Sequence, residues 1–226
     1  MKSLVVGLGF GQLYVSILKR MGHEVITVDI NPNAGADFTE LTTAITAHAP
    51  FDTAHICVPN HLHYKTALKL AEHTKIVFVE KPGVETINHW RLLTNLNKST
   101  RFMMTKNNQW RNNIKQIAEN CEASDMIQIN WVNKNRIPGP GTWFTDKSKA
   151  FGGVSRDLLP HLMSIMMSVN KNSYQDFKVK QYHTEQRWNL SDCTGTDYGV
   201  VNEDGVYDVD DSATMELTDG NKTYIL

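Results

Sequence analysis

The chain has 226 residues and a formal net charge of −1, with 41% hydrophobic and 21% charged residues. This composition is typical of globular proteins and excludes a disordered chain. No stretch approaches the roughly 20 apolar residues that a membrane-spanning helix needs, and the first residues lack the pattern of a secretory signal. These two observations predict a cytoplasmic location. Without a long basic run, we expect no nucleic-acid or membrane partner.

The first half of the chain alternates short apolar, β-branched runs with amphipathic stretches. This alternation predicts parallel strands joined by crossover helices. The predicted strands are 2–6, 24–29, 53–58, 75–80 and 101–105. The predicted helices are 11–20, 37–48, 62–73 and 85–96.

The character of the sequence changes after residue 106. A polar, Asn-rich stretch follows, so we place a domain boundary between residues 106 and 107. The predicted elements beyond it are a helix ending near 121, a strand at 126–132, a glycine-led helix at 151–169, and strands at 178–188, 206–217 and 223–226. Residues 107–226 therefore predict a smaller α+β domain with a mostly antiparallel sheet.

A glycine-rich turn lies between the first predicted strand and the first predicted helix. In Gly7-Leu8-Gly9-Phe10-Gly11, Gly7 permits a tight turn and Gly9 permits close approach of a pyrophosphate to the helix N-terminus. Gln12 stands where the usual G-x-G-x-x-G pattern has its third glycine, which weakens the expectation of close helix packing there. We predict that Gly7, Gly9, Phe10 and Gly11 bind a dinucleotide.

Asp29 ends the second predicted strand, at about the 20-residue separation at which a carboxylate accepts hydrogen bonds from the adenosine ribose. The same carboxylate would repel a 2′-phosphate. No Arg or Lys follows within residues 30–36 to neutralise one. The sequence therefore predicts NAD rather than NADP, with Asp29 as a cofactor-binding residue.

The spacing of the cysteines and histidines shows whether disulfides or a metal site are to be expected. Cys57, Cys121 and Cys193 are far apart and form no C-x-x-C pair, so we expect reduced, buried thiols. The pair His61 and His63 has no further ligands at a recognisable spacing. We predict no metal site.

Three motifs in order resemble the Gfo/Idh/MocA oxidoreductase family. The first runs from His55 to Tyr64, the second is Glu80-Lys81-Pro82 after an apolar run, and the third runs from Gly152 to His161. The resemblance covers residues 2–169. It implies an N-terminal Rossmann domain, a doubly wound parallel sheet, over residues 1–106. It also implies that the second domain, reduced or incomplete relative to the family, binds substrate and forms a homodimer through its sheet.

The resemblance also implies roles for particular residues. It adds Pro59, Asn60, His63 and Glu80 to the cofactor-binding residues, and it makes Lys81, Asp157 and His161 the catalytic residues.

The chemistry of alcohol oxidation suits these side chains. A base must take the hydroxyl proton, and His161 titrates near neutral pH. Lys81 would stabilise negative charge on the reacting oxygen. Asp157, four residues before His161, would share its helix face and either orient the imidazole or hold a substrate hydroxyl, unless Pro160 makes the helix start late or kink.

These features predict an NAD-dependent oxidoreductase that transfers a hydride between the cofactor and a hydroxyl or keto group of a sugar, an inositol-like polyol or a related compound. The substrate itself cannot be read from the sequence. Because members of the family are usually longer than this chain, the alternative is a dinucleotide-binding regulatory or scaffold protein without turnover.

Overall fold

The computed structural model describes residues 1–96, 99–121, 123–133, 137–170, 176–193 and 200–226. It divides into two compact units, Met1–Thr105 and Lys106–Leu226. Each unit has its own sheet and its own apolar core. Within the described residues, no helix has the length and apolar character needed to cross a membrane.

The first unit alternates strands and helices. Its strands are β1 (Lys2–Val6), β2 (Glu24–Val28), β3 (Phe51–Ile56), β4 (Thr74–Val79) and β5 (Arg101–Met104). Its helices are α1 (Leu8–Arg20), α2 (Leu41–His48), α3 (His63–Leu70) and α4 (Ile87–Leu96).

The five strands form one parallel sheet in the order β2-β1-β3-β4-β5. Because both faces of such a sheet are covered, its strands are apolar at successive positions. Leu4 and Val6 pack into the core of one face, whereas Val5 packs with Val15 of α1 on the other. This arrangement confirms the predicted Rossmann-type sheet and opens a crevice at the carboxyl ends of β1 and β3, where the strand order reverses.

The second unit combines helices with a four-stranded sheet. Its helices are α5 (Asn112–Asn120), α6 (Lys147–Ala150), α7 (Val154–Asp157) and α8 (Leu159–Asn170). Its strands are β6 (Met126–Gln128), β7 (Lys178–Glu185), β8 (Ser212–Thr218) and β9 (Thr223–Ile225). The sheet order is β6-β9-β8-β7, with β6 parallel to β9 and the other pairs antiparallel. The predicted mostly antiparallel sheet is thereby confirmed.

Several predicted elements of this unit differ from the structure. The strand predicted at 126–132 ends at Gln128, and the one predicted at 178–188 ends at Glu185. The single helix at 151–169 is two helices, because α7 ends at Asp157 and α8 begins at Leu159. The strand predicted at 206–217 begins only at Ser212. The backbone before Ser212 makes hydrogen bonds outside the sheet. Asp208 N–H donates to the Thr145 carbonyl, and the Asp210 carbonyl accepts from Val154 N–H.

Candidate active site

Gly7 makes the turn between β1 and α1. Its φ is 90°, a conformation that side chains with a Cβ rarely adopt. A Cβ there would lie 2.7 Å from both the carbonyl carbon and the carbonyl oxygen of Cys57, at the end of β3. Gly7 is therefore required both by its backbone angle and by the closeness of the neighbouring strand.

Gly9 and Gly11 serve different purposes within α1. Among the described residues, nothing lies within 4 Å of a Cβ placed on Gly9, so that position borders open space. A Cβ on Gly11 would lie 2.9 Å from Val5 Cγ1 and 3.4 Å from Cys57 Cβ. The expectation that Gln12 weakens close helix packing was therefore wrong, because Gly11 makes that contact one residue earlier.

The N-terminus of α1 offers hydrogen-bond donors to a bound anion. Gly7 N–H donates to the Val28 carbonyl, and Leu8 N–H donates to the Asp29 carboxylate at 2.6 Å. The next N–H groups, of Gly9 and Phe10, have no acceptor inside the helix because of their position in its first turn. These donors and the open space beside Gly9 fit the diphosphate of a dinucleotide.

Asp29 follows β2 directly and lies beside the glycine turn. Its Oδ2 accepts from Leu8 N–H, and its Oδ1 accepts from Asn31 N–H at 2.8 Å. Each carboxylate oxygen can accept more than one hydrogen bond, so a ribose hydroxyl remains a feasible partner. The contact to Leu8 holds the carboxylate near the place where a pyrophosphate would approach.

The loop after β3 contains three predicted cofactor contacts. Pro59 precedes a short 3₁₀ turn, Asn60–Leu62, and both Pro59 and Asn60 are partly exposed. The His63 side chain is only 1% exposed, and burial lowers its pKa. Its Nδ1 lies 2.7 Å from the Gly83 carbonyl oxygen and its Nε2 lies 2.8 Å from that of Val58.

These contacts revise the prediction for His63. Both ring nitrogens face backbone carbonyls, so neither is available to a cofactor in this arrangement. The structure replaces the predicted cofactor contact with a tether between the loops after β3 and β4. A sequence motif alone does not distinguish the two roles, because each requires the same polar ring.

Glu80 lies at the end of β4 and is held by two hydroxyl groups. Tyr14 of α1 donates to Glu80 Oε1 at 2.5 Å, and Thr105, after β5, donates to the same oxygen at 2.7 Å. Burial and the contact with Glu80 raise the pKa of Tyr14. Sequence reasoning missed Tyr14 and Thr105, because nothing in either local pattern points to a partner on another element.

Lys81 follows Glu80 in a tight turn. Gly83 N–H donates to the Glu80 carbonyl at 2.9 Å, and Gly83 has a φ of 84°. Lys81 N–H approaches Glu80 Oε2 at 3.3 Å. In the first unit, the structure thus brings the glycine turn, Asp29, the loop after β3 and the Lys81 turn to the carboxyl edge of one parallel sheet.

Asp157 and His161 lie on successive helices of the second unit. Asp157 ends α7, Leu158 separates the two helices, and α8 begins at Leu159, so that Pro160 lies in its first turn. The two residues therefore lie on different helices and not on one, and the late helix start that Pro160 allowed for is found. His161 is 9% exposed, and its ring stacks on Trp131 with ring centres 5.8 Å apart. Trp131 was not predicted.

Asp210 caps the helix turn that leads to Asp157. Its Oδ1 accepts from Gly153 N–H at 3.0 Å and from Ser155 Oγ at 2.8 Å, while its Oδ2 accepts from Ser155 N–H at 2.7 Å. A Cβ on Gly153 would lie 1.7 Å from the Asp210 carbonyl oxygen. The second glycine of the third motif is thus explained by close backbone approach.

The three cysteines are free thiols. Cys193 is buried, as expected, whereas Cys57 and Cys121 are only partly buried. Across the part of the chain that the structure describes, no group of three or more His, Cys, Asp or Glu side chains is arranged to hold a metal ion.

Residues 1–107 match a family model described as an oxidoreductase family with an NAD-binding Rossmann fold, GFO_IDH_MocA. The first unit belongs to the Gfo/Idh/MocA oxidoreductase family. The match confirms the resemblance over the residues that carry the first two motifs, and it supports the prediction of an NAD-binding domain. The third motif, from Gly152 to His161, lies outside the matched residues. The Gfo/Idh/MocA match covers the whole parallel sheet.

A curated relative extends the likeness beyond the first unit. The "Putative UDP-kanosamine synthase oxidoreductase subunit" of Amycolatopsis mediterranei (strain S699) is 26% identical over 181 residues, which are 73% of this chain and 50% of that protein. The chain therefore spans half the length of this relative.

Solved structures share the fold of the whole described chain. GenD2 from gentamicin A biosynthesis, solved with NAD, matches with a TM-score of 0.78 at 19% identity, over 100% of this chain and 64% of GenD2. Levoglucosan dehydrogenase, solved with NADH and levoglucosan, matches with a TM-score of 0.70 at 16% identity, over 100% of this chain and 65% of its own. At such identities the likeness concerns the fold alone.

Proposed function

We propose that this protein is an NAD-dependent oxidoreductase that transfers a hydride between nicotinamide and a hydroxyl or keto group of a sugar, an inositol-like polyol or a related compound. One observation carries the proposal: the helix donors at Gly9, the Asp29 carboxylate and the Lys81 turn share the carboxyl edge of one sheet. A dinucleotide can bind at that edge, and the Lys81 ammonium lies on the turn beside it.

The relatives support the reaction class and the kind of substrate. The curated relative is named as an oxidoreductase subunit of a nucleotide-sugar enzyme, and one structural relative is a dehydrogenase solved with levoglucosan. Hydroxylated rings are therefore the substrates to test first.

The proposed roles follow from what each side chain can do. Bound NAD would supply the hydride acceptor. His161 takes the hydroxyl proton as the carbonyl forms, and its contact with Trp131 restricts the orientation of its ring. The Lys81 ammonium stabilises negative charge on the reacting oxygen. Asp157 binds a substrate hydroxyl or orients His161.

Substitution of the proposed catalytic residues tests this assignment. We expect Lys81→Ala and His161→Asn to lower turnover by at least about 100-fold, the usual scale for losing an acid–base or electrostatic group. NADH affinity, measured by fluorescence titration, should stay close to that of the wild type. Lys69→Ala, which removes an exposed lysine of α3, is the matched control. Unchanged turnover in Lys81→Ala or His161→Asn would contradict the proposed roles.

Turnover itself is tested by a panel of sugars and polyols with NAD, alongside NADH titration. Turnover with any member supports the proposal. Binding of NADH without turnover across the panel would favour the dinucleotide-binding regulatory or scaffold protein. Failure of well-folded protein to bind either reduced coenzyme would exclude both.

A further inference from the structure

The turn at residues 80–83 carries the proposed catalytic lysine. A hydrogen bond of 2.9 Å from Gly83 N–H to the Glu80 carbonyl closes it. Lys81 has a long side chain with several rotatable bonds, so its ammonium can be aimed only if the backbone that bears it is fixed. Groups that hold the two ends of the turn therefore affect where Lys81 points.

Side chains from two other elements hold the first end. Tyr14 and Thr105 both donate to Glu80 Oε1, at 2.5 and 2.7 Å. Hydrogen bonds to an ionised acceptor are stronger than those between neutral groups. Since burial and Glu80 raise the pKa of Tyr14, its phenol remains a protonated donor at physiological pH.

The second end is held by His63. Its buried ring lies within hydrogen-bond distance of the Gly83 carbonyl and also of the Val58 carbonyl. The turn is therefore attached at Glu80 to α1 and to the end of β5, and at Gly83 to α3. A strand can end without these contacts, because a carboxylate at its end can simply be solvated. The contacts at both ends of the turn therefore indicate a further purpose.

We propose that Tyr14 and Thr105 are positioning residues, which hold the Lys81 turn in place through the Glu80 carboxylate. The catalytic consequence rests on the proposed function, in which Lys81 acts on the substrate oxygen. The positioning itself is a property of the first unit and can be measured without substrate or cofactor.

Two hydroxyl deletions test the proposal. Tyr14→Phe and Thr105→Val each remove one donor to Glu80 and keep most of the side-chain volume. Tyr64→Phe is the matched control, because Tyr64 lies in the same unit and stacks on His89 at 4.3 Å. Thr105→Ser keeps the hydroxyl and should restore wild-type behaviour.

The first readout is amide hydrogen exchange of the cofactor-free protein. We expect the amides of Lys81 and Gly83 to exchange about tenfold faster in Tyr14→Phe and Thr105→Val, the factor that corresponds to losing a hydrogen bond to a charged group. Exchange at α2, which lies away from this network, should not change. Wild-type exchange at Lys81 and Gly83 in both folded variants would overturn the proposal. If Tyr14→Phe does not fold, the comparison of Thr105→Val with Thr105→Ser decides.

The second readout separates this inference from the proposed function. With an active substrate, both deletion variants should lower kcat and leave the NADH dissociation constant and the substrate KM nearly unchanged. Equal kcat in wild type and variants would overturn the positioning role. If the wild-type protein binds no NADH, the proposed function fails, but hydrogen exchange still decides whether Tyr14 and Thr105 hold the turn.

Discussion

Gly9 and Gly11 are two residues apart in α1 but have different surroundings. Gly9 borders open space, whereas Gly11 packs against Val5 and Cys57. Their substitution by alanine should therefore separate ligand binding from folding, although both changes add the same methyl group.

We expect Gly9→Ala to fold at least as stably as the wild type, because alanine favours a helix by up to about 1 kcal/mol over glycine. It should nevertheless weaken NADH binding, since its methyl group occupies the space that a diphosphate needs. Gly11→Ala should destabilise the fold by about 1–3 kcal/mol through overpacking. Urea unfolding and NADH titration measure both effects. Equal NADH affinity in Gly9→Ala and wild type would place the diphosphate elsewhere.

His55 is a buried polar residue near the carboxyl end of β3. Its ring lies between Tyr14 and Phe78, with ring centres 4.9 Å from each. Within the described residues, neither ring nitrogen has a hydrogen-bond partner. Burial, with a smaller contribution from His23, lowers its pKa from 6.5 to about 4. The ring is therefore neutral near pH 7 and is retained at a cost in stability.

We expect His55→Phe to stabilise the protein at pH 7 by about 1–3 kcal/mol, because it removes two buried nitrogens that lack partners. In the wild type, a folded-state pKa of about 4 against 6.5 means that stability is lost as the pH falls between these values. The free energy of unfolding of His55→Phe should therefore exceed that of the wild type by roughly 1.4 kcal/mol more for each pH unit by which the pH falls within that window.

Urea unfolding at several pH values measures this advantage, with His183→Phe on the exposed strand β7 as the control. An advantage for His55→Phe that does not depend on pH would show that His55 already titrates normally.

Among the elements of the second unit, the short helix α7 is held at its start by a residue far along the chain. Asp210 receives three hydrogen bonds from Gly153 and Ser155, at the start of the helix turn that ends in Asp157. A short helix of four residues contributes little stability by itself. Its position therefore depends on this cap.

We expect Asp210→Ala to destabilise the second unit by about 2 kcal/mol, the upper range for loss of a helix cap. Because Asp157 and His161 follow the capped turn, turnover should fall more than NADH affinity. Asp204→Ala, an exposed loop change, is the control. Chemical unfolding gives the stability, and an effect no larger than that of Asp204→Ala would show that the cap does not hold α7.

The glycine turn shows how far element boundaries can be predicted. The sequence places the start of the first helix at residue 11, because glycine normally disfavours helix interiors. The structure starts α1 at Leu8. The Asp29 carboxylate accepts the Leu8 N–H and satisfies one of the donors that a helix start leaves unpaired. This cap comes from another strand, so local pattern alone does not reveal it.

At the scale of the whole molecule, coenzyme binding should stabilise the protein and discriminate between two coenzymes. NADH at a hundredfold excess over its dissociation constant should raise the free energy of unfolding by about 2.7 kcal/mol. NADPH at the same concentration should raise it less, because Asp29 repels a 2′-phosphate. Asp29→Ser should reduce the difference between the stabilisation by NADH and the stabilisation by NADPH. Thermal unfolding with each coenzyme measures the effect, and stronger stabilisation by NADPH would contradict the predicted preference.

Assembly through the second sheet remains a prediction. The four strands β6, β7, β8 and β9 form it, and all eight residues of β7 are exposed. Sedimentation of the purified protein would distinguish a homodimer from a monomer.

The parallel sheet of the first unit could be predicted from the amino-acid pattern alone, since apolar runs separated by amphipathic stretches can bury their side chains in few other ways. It also located Gly7, Asp29 and Lys81 at strand ends, because each directly follows such a run.

The side chains that meet at these strand ends could not be predicted in the same way. Tyr14 and Glu80 are 66 residues apart in the chain, and Thr105 is 25 residues from Glu80. Contacts over such separations form when crossovers bring elements together, and local periodicity carries no record of them. For the same reason, the sequence could identify His63 as a polar residue after β3, but only the fold showed that its ring lies within hydrogen-bond distance of two backbone carbonyls.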